Sequence, residues 1–438
     1  MCGGFTEPVL LERAEASSYE SLPVTGQLFL RRLNPFTVAA LAFAAFGFSE
    51  VSSRADWLFY RGPTMNGVSP EKDWSAEFAG GAPKVLWKRE LGTGLSSVTV
   101  SGGHAFSMGN KDNHDFVYCL DVATGKDVWV GDFPVPLDPN MFEGGPRSTP
   151  TLDGQRVYTA SHQGDLVCLD AATGKKLWSH QYQKDFGGRR PQWGFAGSPL
   201  VADNLVICDV GGPAASTVAM SKESGEVVWK TGGDMPGYSS PILGQFDGKP
   251  TVVILKADAL VGYDLKTGAE LWRTPWKTEY DVNAASPLVI GDKIFISSGY
   301  NAGCALCQVA GGKITELWRN KNLRSQINSP VPLDGFIYGI DGNVNGGNLT
   351  CIDLEKGDRK WLEKSVKGGS MILANGRLIV LTEKGELVIC DASPAGFHAI
   401  SRAPVMEKRC WVQPTLVGGR LFVKNNFGDL VCLDLTGK

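Results

Sequence analysis

The residues best suited to chemistry in this sequence mostly stand in patterns that stop short of a reactive site. Cys304-Ala-Leu-Cys307 has the gap of a redox dithiol, but no His follows it, so covalent haem attachment is excluded. It reads as a strand-edge pair of structural thiols. Asp341-Gly-Asn-Val-Asn-Gly346 opens like a calcium loop, in which alternate side chains present oxygens to a hard cation. The acidic residue needed at the loop's twelfth position is Ile352, so a polar hairpin tip is expected instead. Thr-Gly-Lys recurs at 124–126, 173–175 and 436–438 with no upstream glycine to cradle a phosphate. His104, His114, His162, His180 and His398 show no metal spacing, and no Gly-x-Ser-x-Gly elbow presents a nucleophile.

Another set of residues suits binding rather than bond-making. It comprises Phe142, Arg147, Arg189, Arg190, Trp193, Tyr238, Tyr280, Asp281, Asn283, Arg324, Gln326, Asn328 and Trp411. Aromatic rings and guanidinium groups that converge on a concave surface recognise a polar ligand or a peptide. No acid–base pair can be chosen among them. They matter only if the fold brings distant segments together, so the elements that carry them come next.

At 438 residues the chain has the length of about three ordinary domains, unless a repeat extends one. Its 54 glycines are well above the usual level of about 7%, and 12 Trp accompany them. Glycine without a collagen period, combined with many aromatics, indicates tight turns between short strands. A net charge of −3 lacks the basic footprint of a nucleic-acid-binding protein. Residues 1–35 are polar and irregular, and thirteen apolar or small residues follow from Phe36 to Phe48. Arg31-Arg32 before that run and Ser53-Arg54-Ala55 after it complete the pattern of an export signal. A spanning helix needs about 20 apolar residues, so no membrane span is expected. The late position of the run suggests that translation begins nearer Val24. No Cys follows the run closely, so no lipid-anchor site is expected.

One pattern repeats through the remainder. Residues 119–129 read Cys-Leu-Asp-Val-Ala-Thr-Gly-Lys-Asp-Val-Trp, and 168–178 read Cys-Leu-Asp-Ala-Ala-Thr-Gly-Lys-Lys-Leu-Trp. Segments 219–229, 262–272 and 351–361 follow in register. The closing residues Trp87, Trp129, Trp178, Trp229, Trp272, Trp318 and Trp361 lie 42 to 51 residues apart. That period marks four-stranded propeller blades or helical repeats. Each unit contains four short β-rich runs split by Gly-containing turns such as Asp153-Gly154 and Thr173-Gly174, and none has a helical period. The expected fold is all-β: an eight-bladed β-propeller of four-stranded antiparallel blades wedged together by the tryptophans. The seventh unit, from Ser370 to about Ile400, lacks its Trp. The eighth stops before its outer strand, whereas Lys84-Val-Leu-Trp87 supplies such a strand with no unit before it. The N-terminal strand 84–90 should therefore complete the last blade and leave no open sheet edge. The organisation predicted is a disordered N-terminus and export signal over 1–55, a lead-in over 56–83, and the propeller over 84–438.

These units resemble the pyrroloquinoline-quinone (PQQ) type repeat, whose eight-bladed propellers share the tryptophan-docking motif Ala-x-Asp-x-x-x-Gly-x-x-x-Trp. Cys119, Cys168, Cys351 and Cys432 stand where that family often has Ala; Ala219 keeps it and Gly262 is smaller still. The resemblance covers roughly 84–438. Packed sheets lie about 10 Å apart and bridged Cα atoms about 5.5–6 Å, so equivalent cysteines in different blades are read as buried free thiols. The family includes quinone-dependent alcohol and glucose dehydrogenases. Those enzymes have adjacent cysteines beside the cofactor, long insertions and a Glu/Asn/Asp calcium site, and none of these is matched here. In size and in lacking insertions the chain is similar to the propeller subunit of the outer-membrane protein assembly machinery, and is BamB-like in that sense.

The resemblance implies an exported, monomeric, non-catalytic scaffold of the periplasm or cell envelope. It would bind an envelope protein or a small polar ligand at its axial mouth, through Arg147, Arg190, Trp193, Tyr238, Asn283, Arg324, Asn328 and Trp411. The alternative is a PQQ-dependent dehydrogenase, which would carry PQQ with calcium. Carbohydrate or cell-wall binding is a third option that the Trp-rich mouth permits.

Overall fold

The computed structural model describes residues 56–138 and 142–437. The export-signal segment lies outside them. Eight four-stranded antiparallel sheets follow one another along the chain as the blades of a propeller, and the seventh gains a fifth, parallel strand from the lead-in. Blade 1 comprises Thr99–Ser101, His104–Lys111, His114–Asp121 and Asp127–Pro134. Its successors repeat that order through blade 7, which is made of Ser370–Ala374, Arg377–Leu381, Glu386–Asp391 and Ala399–Pro404. The innermost strands are short, and the second and third strands are almost wholly buried between neighbouring sheets. Alternating side chains therefore serve two interblade cores.

The ring closes as the sequence requires. Lys84–Glu90 pairs antiparallel with Asp429–Asp434, with Trp87 opposite Cys432 and Glu90 opposite Asp429. It is the outer strand of blade 8, beside Thr415–Val417, Arg420–Lys424 and Asp429–Asp434. Every outer strand has a register shift at the tryptophan position or its equivalent, as between Cys119 and Leu120 or between Val85 and Trp87. Such bulges re-aim a side chain, and here they turn the indole toward the next blade. Trp87 Nε1 donates to Val122 O at 3.0 Å, Trp129 Nε1 to Ala171 O at 2.8 Å, and Trp229 Nε1 to Leu265 O at 3.0 Å. The ring then lies flat on the turn glycine of that blade. A Cβ on Gly125 would stand 2.6 Å from the Trp87 ring, and Gly125 also has a φ of +68°. Side-chain hydrogen bonds to Asp121 Oδ1 from Thr124 N–H (2.8 Å) and Thr124 Oγ1 (2.7 Å) fix the turn that carries this glycine.

Blade 7 has Ser401 opposite Ile389, where the other blades have the indole or its Trp87 equivalent. The gap is filled by the lead-in. Ser75 N–H donates to Leu435 O at 2.6 Å, the acceptor that a seventh-blade indole would have used. Ser75 Cβ would meet a Cβ on Gly437 at 2.9 Å, as the indoles do at other turn glycines. Phe78 N–H donates to Ser401 Oγ, and Trp74, Ala76 and Phe78 pack on the core at the seam. The rest of the lead-in crosses the end at which the innermost strands leave the axis. Trp57 pairs with Val100 of blade 1, Leu58 O accepts from Leu152 of blade 2, and Val68–Ser69 runs parallel to Ser370–Ala374 of blade 7. Arg61 lies buried between them and donates to Asn66 O at 2.8 Å and to Pro330 O of blade 6.

The nine described cysteines are all free and buried, and burial pushes their thiols up to about 12. Cys304 and Cys307 are not at a strand edge. They sit inside Gly303–Ala310, which is paired on both sides, and three residues apart on a strand they face opposite ways.

Candidate binding site at the axial mouth

Loops that enter the innermost strands, and hairpins that join second to third strands, meet at the end of the axis opposite the lead-in. The innermost strands begin at Ser/Thr-Pro steps or their equivalents, and these hydroxyls link one blade to the next. Ser97 N–H donates to Thr149 Oγ1 (3.0 Å), Thr149 N–H to Ser198 Oγ (2.9 Å), Ser198 N–H to Ser240 Oγ (2.9 Å) and Ser286 N–H to Ser329 Oγ (2.9 Å). Ser97 Oγ donates to Gln413 O at 2.6 Å across the seam between blades 8 and 1. Backbone groups that would otherwise be orphaned on the axis are satisfied in this way.

A cavity of about 320 Å³ lies within this collar. Phe142, Trp193, Tyr238, Tyr300 and Trp411 supply its aromatic wall, Ser198, Ser240, Gln326, Asn343 and Gln413 its polar wall, and Tyr60 of the lead-in also lines it. The lead-in covers the other end of the axis, so the cavity opens at one face. Among the described residues Arg147 is the one charged side chain that lines it. Burial, reinforced by the Arg190 charge and opposed by Tyr238, pushes the Arg147 guanidinium down to about 10, which leaves it charged at neutral pH.

The aromatic groups form two clusters. Trp193 lies 6.1 Å from Tyr238 and 6.3 Å from Tyr280, and Tyr280 lies 5.4 Å from Tyr300, all edge-on. In the second cluster Phe142 meets Trp411 edge-on at 4.9 Å, with Arg409 over both rings. Phe142, Tyr280 and Tyr300 have φ of +62°, +60° and +50°. A left-handed conformation in a bulky residue is costly, about 1–2 kcal/mol each. The first two are nonetheless 50% and 56% exposed.

The cavity therefore gathers Arg147, Trp193, Tyr238 and Trp411 from the expected set, together with Phe142 and Gln326. The other expected residues are used elsewhere. Asn283 is fully buried; its Nδ2 donates to Lys256 O (2.8 Å) and Ala257 O (2.9 Å), and its Oδ1 accepts from Ser298 Oγ. Arg190 pairs with Asp138 at 2.8 Å. Arg324 grips both oxygens of Asp341, at 2.8 and 2.9 Å, and Arg359 adds a third contact at 2.9 Å. The carboxylate of the calcium-like sequence is thus committed to guanidinium groups. Asn328 lines a separate small crevice beside Trp411. Arg189 bridges Gly211 O and Gly233 O, and Asp281 is exposed. Tyr60, Tyr300, Asn343 and the serine collar had no place in the sequence reading. Only the recurrent Ser-Pro dipeptides (198–199, 240–241, 286–287, 329–330) offered a signal.

Fold and site together define a class: an all-β, eight-bladed propeller with an axial cavity lined by aromatic and polar side chains. A family profile described as outer membrane protein assembly factor BamB matches residues 113–363, and the chain belongs to that family of PQQ-like propellers. It is 23% identical over 367 residues to the outer membrane protein assembly factor BamB of Yersinia pestis, across 80% of this chain and 78% of that protein. A shorter match, 25% over 159 residues, is to the protein of the same name from Marinobacter adhaerens, across 34% of this chain and 38% of that protein. Among solved structures, BamB from Moraxella catarrhalis has a TM-score of 0.62 at 16% identity, over 81% of this chain and 100% of that one. The quinohemoprotein alcohol dehydrogenase of Comamonas testosteroni has a TM-score of 0.62 at 14% identity, over 88% of this chain and 81% of that one. At those identities the structural likeness concerns the fold. A quinone held with calcium does not fit the donors present: among the described residues no Asp, Glu, His or Cys lines the cavity, and no three such side chains could hold a metal ion.

Proposed function

We propose that this chain is an exported, non-catalytic scaffold of the bacterial cell envelope that engages a partner protein or a ligand through its axial mouth. The observation that carries this reading is the convergence of Trp193, Tyr238, Trp411 and Arg147 from four different blade entries on one cavity with one opening. Membership of the BamB family supports an envelope setting, as does the flanked apolar run Phe36–Phe48. Among the described residues no helix is long and apolar enough to cross a membrane. The test is a pull-down from envelope extract with the parent chain and with Trp193→Ala and Trp411→Ala. A specific partner lost from both variants, with melting unchanged, supports the mouth. Equal recovery by all three chains rejects it. N-terminal sequencing of the secreted protein tests export; a chain still carrying residues 1–35 counts against it. The competing dehydrogenase reading predicts a bound chromophore and dye-linked oxidation of an alcohol or sugar after quinone and calcium are added. Turnover there would displace the scaffold reading.

A further inference from the structure

Two residues beyond a docking tryptophan, the outer strand returns a side chain to the same face, toward the next blade. At three seams that side chain closes the gap by bonding to the carbonyl of the next turn glycine. Arg89 Nη1 donates to Gly125 O at 2.9 Å and Asn320 Nδ2 to Gly357 O at 2.9 Å, while His180 Nε2 lies 2.8 Å from Gly225 O. Between blades 1 and 2 the position is Gly131, and Gly174 O has no hydrogen-bond partner among the described residues. The backbone does not demand this glycine. Gly131 lies inside the strand Asp127–Pro134 and is not at positive φ. A Cβ on it would meet Gly174 O at 3.6 Å and Leu169 Cδ1 at 3.9 Å, which are ordinary contact distances. The space left open is a groove of about 550 Å³, with Val117, Val167 and Leu169 as its apolar lining. Its carboxylates already have partners: Asp132 has His114, Asp185 has His180, and Asp165 accepts from Ser161 Oγ.

The three filled seams show which donor suits which surroundings. The residue two places after the turn glycine is Asp127 beside Arg89, Val227 beside His180 and Arg359 beside Asn320. Arg89 Nη2 pairs with Asp127 Oδ1 at 2.7 Å, so a carboxylate accompanies that guanidinium. Where a cation holds the position, the donor is a neutral amide. At the open seam the position is Lys176, and Lys184 adds a second cation to the lining. A guanidinium or ammonium guest would meet like charge there. A carboxylate guest would have no proton to give Gly174 O. A carboxamide both gives and takes: its N–H suits Gly174 O, and its oxygen suits the Lys176 ammonium or the exposed Ser179 hydroxyl. We propose that this groove, distinct from the axial mouth, receives the side-chain amide of an asparagine or glutamine from a partner polypeptide. The methylene stem lies on Val117, Val167 and Leu169, and the N–H is given to Gly174 O. The guest repeats between two chains the contact that Asn320 makes within one.

The experiment titrates the full chain with blocked tripeptides, acetyl-Gly-X-Gly-amide with X as Gln, Met, Glu or Arg, observed by ligand NMR. The glutamine peptide is expected to bind at least about threefold tighter than the methionine peptide, the gain of one neutral hydrogen bond. Gly131→Asn should supply the amide from within the chain and abolish that binding. It should also melt about 1–2 °C above Gly131→Ala, which gains a Cβ and no amide. Trp193→Ala, altered in the mouth, should bind the glutamine peptide as the parent does. If Gly131→Asn fails to fold, the order of the four peptides on the parent chain and the Trp193→Ala comparison still decide. Equal binding of the glutamine and methionine peptides overturns the proposal, as does tighter binding of the glutamate or arginine peptide. So do the absence of glutamine-peptide binding, its persistence in Gly131→Asn, and its loss in Trp193→Ala, which would move the peptide to the mouth.

Discussion

At the scale of single residues, burial without full compensation sets the response to pH. Asp115 is fully buried; Oδ1 accepts from Asn110 Nδ2 at 2.7 Å and Oδ2 has no partner. Burial pushes its carboxyl up to about 7, with Asp165 adding to the rise and the Asn110 bond opposing it. Between about pH 4 and pH 7 the folded chain thus keeps a proton that the unfolded chain has released, so stability falls as pH rises through that window. Asp115→Asn should remove this slope. Its melting temperature is expected to match the parent's near pH 4 and to exceed it at pH 8, by the equivalent of about 4 kcal/mol. A second comparison concerns the indoles. Trp229 has an acceptor, whereas Trp272 Nε1 has none, because the facing turn of blade 5 is a tight Gly311-Gly312 hairpin. Trp229→Phe should therefore cost about 1 kcal/mol more than Trp272→Phe in denaturant melts. The Trp repeat was legible because seven copies enforce one another. Asn283 and Arg324 were misplaced because residue type and loop position do not reveal which backbone carbonyls or carboxylates lie within reach.

At the scale of elements, the blades follow from local chemistry and the lead-in does not. Alternating strands, Asp-x-x-Thr-Gly turns and bulges at the indole are each set by a few adjacent residues, so the repeat announces them. Residues 56–83 carry no repeat, and their conformation is imposed by surfaces of blades from distant parts of the chain, blades 1, 2, 6, 7 and 8 among them. The same limit hid Tyr300 and Asn343. They sit on second-to-third-strand hairpins, which share the mouth end with the entering loops but are not part of them. The strap makes a sharp prediction. Ser75→Pro deletes the N–H that caps Leu435 O, and should destabilise the ring by about 1–3 kcal/mol. Ser401→Trp, which restores the standard indole, should compete with the strap and expose residues 74–78 to faster hydrogen exchange.

At the scale of the whole molecule, everything converges on the joint between blades 7, 8 and 1. Lys424 is buried there and donates to Gly94 O (3.1 Å), Ser96 O (3.1 Å) and Met108 O (2.9 Å), which ties blade 8 to blade 1. Lys424→Met would remove the ammonium from all three carbonyls, leaving Ser96 O with only the Ser107 hydroxyl, and is expected to cost about 2–4 kcal/mol by urea titration. Deletion of 83–90 removes the outer strand of blade 8 with Trp87. It should abolish the single cooperative transition; retention of the parent's melting profile would contradict the closure. The joint also imposes an order in time. Lys84–Glu90 finds its partner only in Asp429–Asp434, so a chain still leaving the ribosome holds seven blades and a loose beginning. Maturity arrives in one late step, when the tail emerges. Until then the unsatisfied edge of Lys84–Glu90 is an adhesive that needs guarding, which makes the interval before release the period in which chaperones would matter most to this molecule.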